Sequence, residues 1–282
     1  MQNKVKEKIL SEEEKTEGNV EATINAVTGL AKAVPIYQDA VQPAAQEIGK
    51  ALGTIAKTVN VALAPVSALV WGYDQIKDFV DNKVTEKLQN VPEENIVTPP
   101  PHIAGPALES LRYTGSIDEL KELYANLLAS SMDSATTKDA HPSFVEIIKQ
   151  LSSDEAKLLT ALISRDQEPA VTIRNNREDN TGGRDHFRNF TVLGEKVGVQ
   201  DYDRIPNHLD NLCRLGLLEI PTSCTLVGEN MYKHLDEHPV VKSIVEAINK
   251  EVDRKSDLVH KTIIVTGLGR QFINTCVKDH RN

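Results

Sequence analysis

The spacing of apolar residues divides the chain into blocks of different character. Val20, Ile24, Val27 and Val34 form one stripe. Ile48, Leu52, Ile55, Val59, Leu63, Val66, Val70 and Tyr73 form a second. Intervals of three and four residues put such positions on one face of a helix. Pro35, Pro43 and Pro65 interrupt the pattern, which predicts several helices rather than one rod. Residues 1–19 precede them as a highly charged lead-in, with Ser11 and Glu14 at capping-box spacing. Val91 to Pro106 holds five prolines and reads as an extended linker. Ser116 and Glu119 then predict a cap for a helix that buries Ile117, Leu120, Leu123, Tyr124, Leu127 and Leu128. His141-Pro142 predicts a further helix entry with proline at the first helical position, and Ser152 with Glu155 another capping box.

The last third reads differently. Leu209 to Ile220 predicts a helix stopped at Gly216 and then a short strand. His260 to Val277 predicts a β-branched strand, a glycine turn and a final helix. That order is the one expected of a winged helix, and the polar stretch near 168–200 reads as a long hairpin or loop insertion within it. The predicted fold is therefore mainly α: Ala-rich N-terminal helices (20–90), a linker (91–106), a central helical bundle (107–150) and a C-terminal winged-helix-like α+β domain (151–282).

Composition sharpens one block. Only 4% of the residues are aromatic, and Tyr37 is the single one before Trp71. Twelve of the 22 alanines lie between Ala22 and Ala68. Thr58 to Tyr73 is a run of 16 uncharged residues, short of the about 20 that a membrane-crossing helix needs, with Pro65 inside it. Such a segment suits the membrane interface, with Trp71 and Tyr73 at headgroup level, and small residues equally suit close packing in a soluble bundle or an oligomer. Val59, Leu63, Val66, Val70, Trp71 and Tyr73 are its candidate membrane or self-association residues. The net charge is −9, and residues 151–282 hold 18 Lys+Arg against 20 Asp+Glu, which opposes broad phosphate-backbone binding. Cys213, Cys224 and Cys276 have no metal or redox spacing, and the charged start lacks a secretory pattern. The expected location is the cytoplasm, peripheral to the inner membrane.

Linear motifs for chemistry are sparse. His234-Leu-Asp-Glu237-His238 matches a zinc-peptidase pattern, but Pro239 breaks the helix it requires, so a surface turn is expected. Gly267-Leu-Gly269 lacks the third glycine of a dinucleotide loop, where Phe272 stands, and suits a turn with helix entry. No catalytic residue, metal or cofactor is therefore assigned. Arg174, Arg177, Arg184 and Arg188, interleaved with His186, Phe187 and Phe190, are the one local basic cluster. They are candidate phosphate- or partner-binding residues, diluted by Glu178, Asp179 and Asp185.

The stretches APVSALVWGYDQIKDFV, PEENIVTPPPHIAGPALESLRYT, DELKELYANLLASSM and HPSFVEIIKQLSSDEAKLL together resemble the bacterial abortive-infection alpha family. The likeness is most specific from Ala51 to Leu162 and looser beyond, and His141, Pro142, Ser143 and Phe144 match the family's HPSF motif. It implies phage defence in which an infected cell is sacrificed or arrested, and it carries no catalytic residues. The expected protein is non-enzymatic: its C-terminal domain senses a phage-encoded trigger, and its N-terminal helices then oligomerise or act on inner-membrane lipid. The rival is a winged-helix regulator or toxin that binds nucleic acid or protein, against which the acidic charge weighs.

Overall fold

The computed structural model describes residues 71–228 and 230–279, which group into two units. Among them, 71–117, 123–149 and 279 form the first unit, and 118–122 with 150–278 the second. The predicted stripes from Val20 to Val70 lie outside the described residues.

The first unit is helical. Helix α1 (Tyr73–Phe79) passes through a π turn (Val80–Val84) into α2 (Thr85–Leu88). Ile76, Val80, Val84 and Leu88 recur at intervals of four and are all buried. A short extended stretch then leads to α3 (Pro101–Thr114). The linker expected over 91–106 therefore ends earlier. Pro101 starts the helix, because a proline at the first position has its φ preset and no N–H to satisfy. Pro106 falls inside the helix and removes one backbone bond. Helix α4 (Asp118–Met132) opens with Ile117 as its N-cap and no side-chain cap, not with the box expected at Ser116. The chain leaves α3 in a tight turn instead, with the Ile117 N–H bonded to the Thr114 carbonyl at 2.9 Å. Helix α5 (Ser143–Lys149) begins one residue after Pro142 and packs on α3. Ile103, Leu108, Leu111, Phe144 and Ile148 are buried there.

The second unit overturns the mainly α expectation. It holds a four-stranded antiparallel sheet in the order β2-β1-β4-β3, so the fold combines helices with a substantial sheet. β1 (Gln167–Arg177) pairs β4 (Arg254–Val265) over eleven positions, from Gln167↔Ile264 to Arg177↔Arg254. β2 (Gly183–Phe190) forms a hairpin with β1, and β3 (Leu218–Glu219) adds two residues to the other edge of β4. The segment near 168–200 is thus largely sheet. The hairpin expected there is present, but its strands run further than the apolar pattern indicates, because Arg174, Asn175 and Asn176 interrupt the alternation of Val171 and Ile173. The winged-helix reading falls with this: where a small wing was expected, β1 and β4 run for eleven and twelve residues.

Helices flank this sheet. Ser152 and Glu155 form the expected box on α6 (Ser153–Thr160). Helix α7 (Ile205–Arg214) stops before Gly216, whose φ of +74° suits glycine. Helices α8 (Lys233–Asp236) and α9 (Pro239–Asn249) carry Leu235, Val241 and Ile248 into one apolar cluster with Val171, Ile173, Phe190 and Tyr232. Helix α10 (Gly267–Phe272) runs into a π turn (Ile273–Val277). Thr266 caps it, accepting from the Gly269 N–H at 2.9 Å and donating to the Gly216 carbonyl at 2.6 Å.

Gly269 lies so close to the Leu217 carbonyl that an added Cβ would fall 2.0 Å from that oxygen. Gly269→Ala forces backbone apart and should destabilise the second unit by about 1–3 kcal/mol. A lowered urea midpoint with an unchanged m-value checks this; an unaltered midpoint would contradict the close approach.

Candidate functional site

The β1–β4 register decides which basic side chains meet. Along a strand, alternate residues share a face. Val171, Ile173, Asn175 and Arg177 form one face of β1, whose inner part is covered by the α9 cluster. Beyond that cluster, Arg177 stands directly opposite Arg254, and Asn175 opposite Ser256 on one side and Arg184 on the other. Three arginines from three strands therefore share one face at the hairpin end of the sheet, around Asn175.

This regroups the basic cluster legible in the sequence. Arg174 points to the opposite face and pairs with Asp185 at 3.4 Å. Arg188 is tied to Asp210 of α7. A bulge lies there: Phe187 and Phe190, three residues apart, both pair into the apolar face of β1, and Asn189 takes a φ of +51°. Arg177 and Arg184 remain, and Arg254, some seventy residues away in sequence, joins them. No carboxylate among the described residues lies within ion-pair distance of Arg177, Arg184 or Arg254. Directly opposed like charges destabilise a sheet, so the Arg177–Arg254 pair departs from the usual cross-strand rule.

Asn175 gives this end a polar centre. It is 2% exposed. Its Nδ2 donates to Glu251 Oε2 at 3.2 Å, while its Oδ1 has no donor. An open cavity of about 660 Å³ adjoins, lined by Arg177, Glu178, Asp179, Val252, Asp253 and Arg254. The hairpin tip is fastened beside it, the Glu178 N–H donating to the Asp253 carbonyl at 3.2 Å. The Thr181 hydroxyl, then its backbone N–H, donate to Asp179 and hold its carboxyl below the usual range.

A second polar constellation sits on β4. His260 Nε2 meets both Asp236 carboxylate oxygens at 2.9 and 3.1 Å, and its ring stacks on Tyr232 at 4.1 Å. The Tyr232 hydroxyl is held by the Leu226 N–H and Thr262. These contacts join α8 to the sheet. His238 serves α9 as its N-cap, Nδ1 accepting from the Val240 N–H at 3.2 Å and Nε2 facing Glu195 at 3.0 Å. His234 and His238 consequently sit on either side of a helix break, as Pro239 predicted, and do not form the two-histidine face of a zinc helix.

The other sequence candidates are placed as follows. His141 Nδ1 accepts from the Ser143 N–H at 3.1 Å, and Phe144 is buried: this motif caps and anchors α5. Trp71 is half-buried, edge-on to Phe79 at 5.8 Å and against Gly115, where a Cβ would meet the indole at 2.3 Å. Tyr73 begins α1 and is half-buried. Val59, Leu63, Val66 and Val70 lie outside the described residues. No helix among the described residues is long and apolar enough to cross a membrane.

The model of the abortive infection alpha family matches residues 72–276, which include every strand and the three arginines. The chain belongs to the abortive infection alpha family. Membership places it in defence against phage by abortive infection. The family match begins at Gly72, so the Ala-rich residues of Thr58 to Val70 lie outside it. No curated protein matches the chain. A solved structure of an uncharacterized protein from the hydrocarbon-degrading marine bacterium Alcanivorax borkumensis SK2 is similar over 51% of this chain and 96% of its own, at 19% identity and a TM-score of 0.33.

The three cysteines of this family member are free thiols. Burial, then the charges of Asp210 and Glu219, pushes the Cys213 thiol up to about 11, and burial raises Cys276 as well. Each cause disfavours the thiolate, the reactive form. At pH 8 Cys213 should alkylate roughly 100-fold more slowly than in the unfolded chain, the gap closing as pH approaches 11. Mass-spectrometric iodoacetamide labelling with and without denaturant measures the ratio; equal rates would contradict the burial.

Proposed function

We propose that this family member acts in abortive infection without catalysis of its own, with the arginine end of the sheet as its sensing surface. The observation that carries the reading is the group Arg177, Arg184 and Arg254: three cations on one face, none in salt-bridge contact with a carboxylate among the described residues, with Arg177 close enough to add to the Thr181 hydrogen bonds that lower the Asp179 carboxyl. Charges held this way raise the local concentration of anionic partners. The partner is a component supplied or altered by the infecting phage.

The effector step belongs to the N-terminal segment. Thr58 to Tyr73 carries no charge, and its small residues suit helix association or an interfacial position on inner-membrane lipid. The proposal is that engagement of the sensing surface frees this segment to self-associate or to perturb the membrane. The rival reading is a nucleic-acid or protein-binding regulator. Its mark is binding that falls steeply with salt and follows the number of arginines.

The test is phage challenge of cells carrying the full chain, the Arg177→Gln, Arg184→Gln, Arg254→Gln triple variant, or a version lacking Met1 to Val70, with membrane potential followed throughout. Both altered proteins should lose at least about tenfold of the protection, and only the full chain should depolarise cells after infection. Full protection by the triple variant would overturn the sensing surface. Protection without depolarisation would overturn the membrane step alone.

A further inference from the structure

We infer that the Arg177–Arg254 end of the sheet binds a small phosphate monoester whose body offers a hydroxyl or N–H donor, the chemistry shared by nucleotides and phosphosugars. The inference rests on reading this end as the sensing surface and adds the class of molecule sensed.

Four observations lead there. Arg177 and Arg254 face each other across adjacent strands, where Cβ atoms stand about 4.5–5.5 Å apart. A phosphate between two guanidinium forks converts that repulsion into two charge-assisted contacts. Arg184 adds a third cation two positions along the same face, on the far side of Asn175. Asn175 is 2% exposed, and its Nδ2 is engaged by Glu251 while its Oδ1 lacks a donor. A buried acceptor left without a donor is costly, and an anion held only through its charged oxygens does not satisfy it. A ligand that carries a donor next to its phosphate can.

The carboxylates set the upper size. Glu178, Asp179 and Asp253 line the same cavity of about 660 Å³ as Arg177 and Arg254, a volume in the range of small-molecule sites. A continuous phosphate backbone leaving the arginine pair would run against these acids. A compact monoester places its single anionic group between Arg177 and Arg254 and its neutral body against Val252, which is 86% exposed, with its donor directed towards Asn175 beside the cavity. The acidic residues that dilute the basic cluster therefore act as a filter against nucleic acid.

Isothermal titration of the full chain tests this with adenosine 5′-monophosphate, glucose 6-phosphate, inorganic phosphate, adenosine and a single-stranded oligonucleotide. At least one monoester should bind. Inorganic phosphate should bind it at least roughly tenfold more weakly, and adenosine should give no signal. Which monoester binds separates nucleotide from phosphosugar. Arg177→Gln and Arg254→Gln should each weaken the monoester by roughly tenfold or more, and Asn175→Leu should weaken the monoester while leaving inorganic phosphate unchanged. If Asn175→Leu fails to fold, Arg184→Gln replaces it, with a smaller loss expected for the monoester. Binding of neither monoester, equal binding by Arg177→Gln and Arg254→Gln, or tighter binding of the oligonucleotide overturns the inference. Should the triple variant still lose phage protection in that event, the sensing surface stands and only the ligand class falls.

Discussion

The eleven-position ladder between β1 and β4 is the constraint on which the second unit depends. It joins strands separated by about the length of the whole intervening segment, which carries β2, β3 and helices α7 to α9. Closing so long a loop is entropically unfavourable and is offset only once many positions pair at once. The register then fixes which side chains face which way. Val171 and Ile173 go under α9, Glu168 goes to the other face, and Arg177 meets Arg254. No local preference of the arginines brings them together. They meet because the apolar residues inside the same strands settle the pairing.

Several polar groups buried elsewhere in the unit are compensated. Glu168 is 1% exposed and lies between Arg165 and Lys196. Thr172 and Asn189 hydrogen-bond across the β1–β2 bulge. Arg270 donates to the carbonyls of Leu162, Ile163 and Arg165 and to Asp166, fastening α10 to the chain entering β1. A cation or carboxylate removed from water needs such partners. The hairpin end differs, with three arginines outside any salt bridge among the described residues and an Asn175 acceptor that lacks a donor. Departures from local consistency of this kind mark functional sites more often than structural ones.

Several local signals in the sequence decide the structure on their own, although the capping box at Ser116 does not form. Ser152 with Glu155, Gly216, the break at Pro239 and the Thr266-Gly267 helix entry all depend on a few neighbouring residues. The family was legible too, because its motifs are linear. Pieces of the sheet were legible, as the hairpin near 168–200, the short strand by Ile220 and the β-branched strand after His260. Its extent was not, since β1 ends in Arg174, Asn175, Asn176 and Arg177, whose polarity hides the strand and whose places are settled by β4. The arginine site was half legible for the same reason. Arg177 and Arg184 were visible as a cluster, while Arg254 became a neighbour only through pairing. Arg174 and Arg188 looked equivalent to them in sequence, but one strand face and one bulge separate them.

The β1–β2 hairpin also shapes how this chain can diverge. Its tip, residues 178–182, lies beyond the last β1 position paired to β4, so the tip can lengthen or shorten without disturbing the ladder. A single residue inserted within 171–176 would reverse the parity of everything after it. Asn175 and Arg177 would exchange faces with Arg174 and Asn176, emptying the site while the hairpin still formed. Length variation among descendants of this chain is thus channelled to the tip, where it would alter what reaches the arginines without moving them.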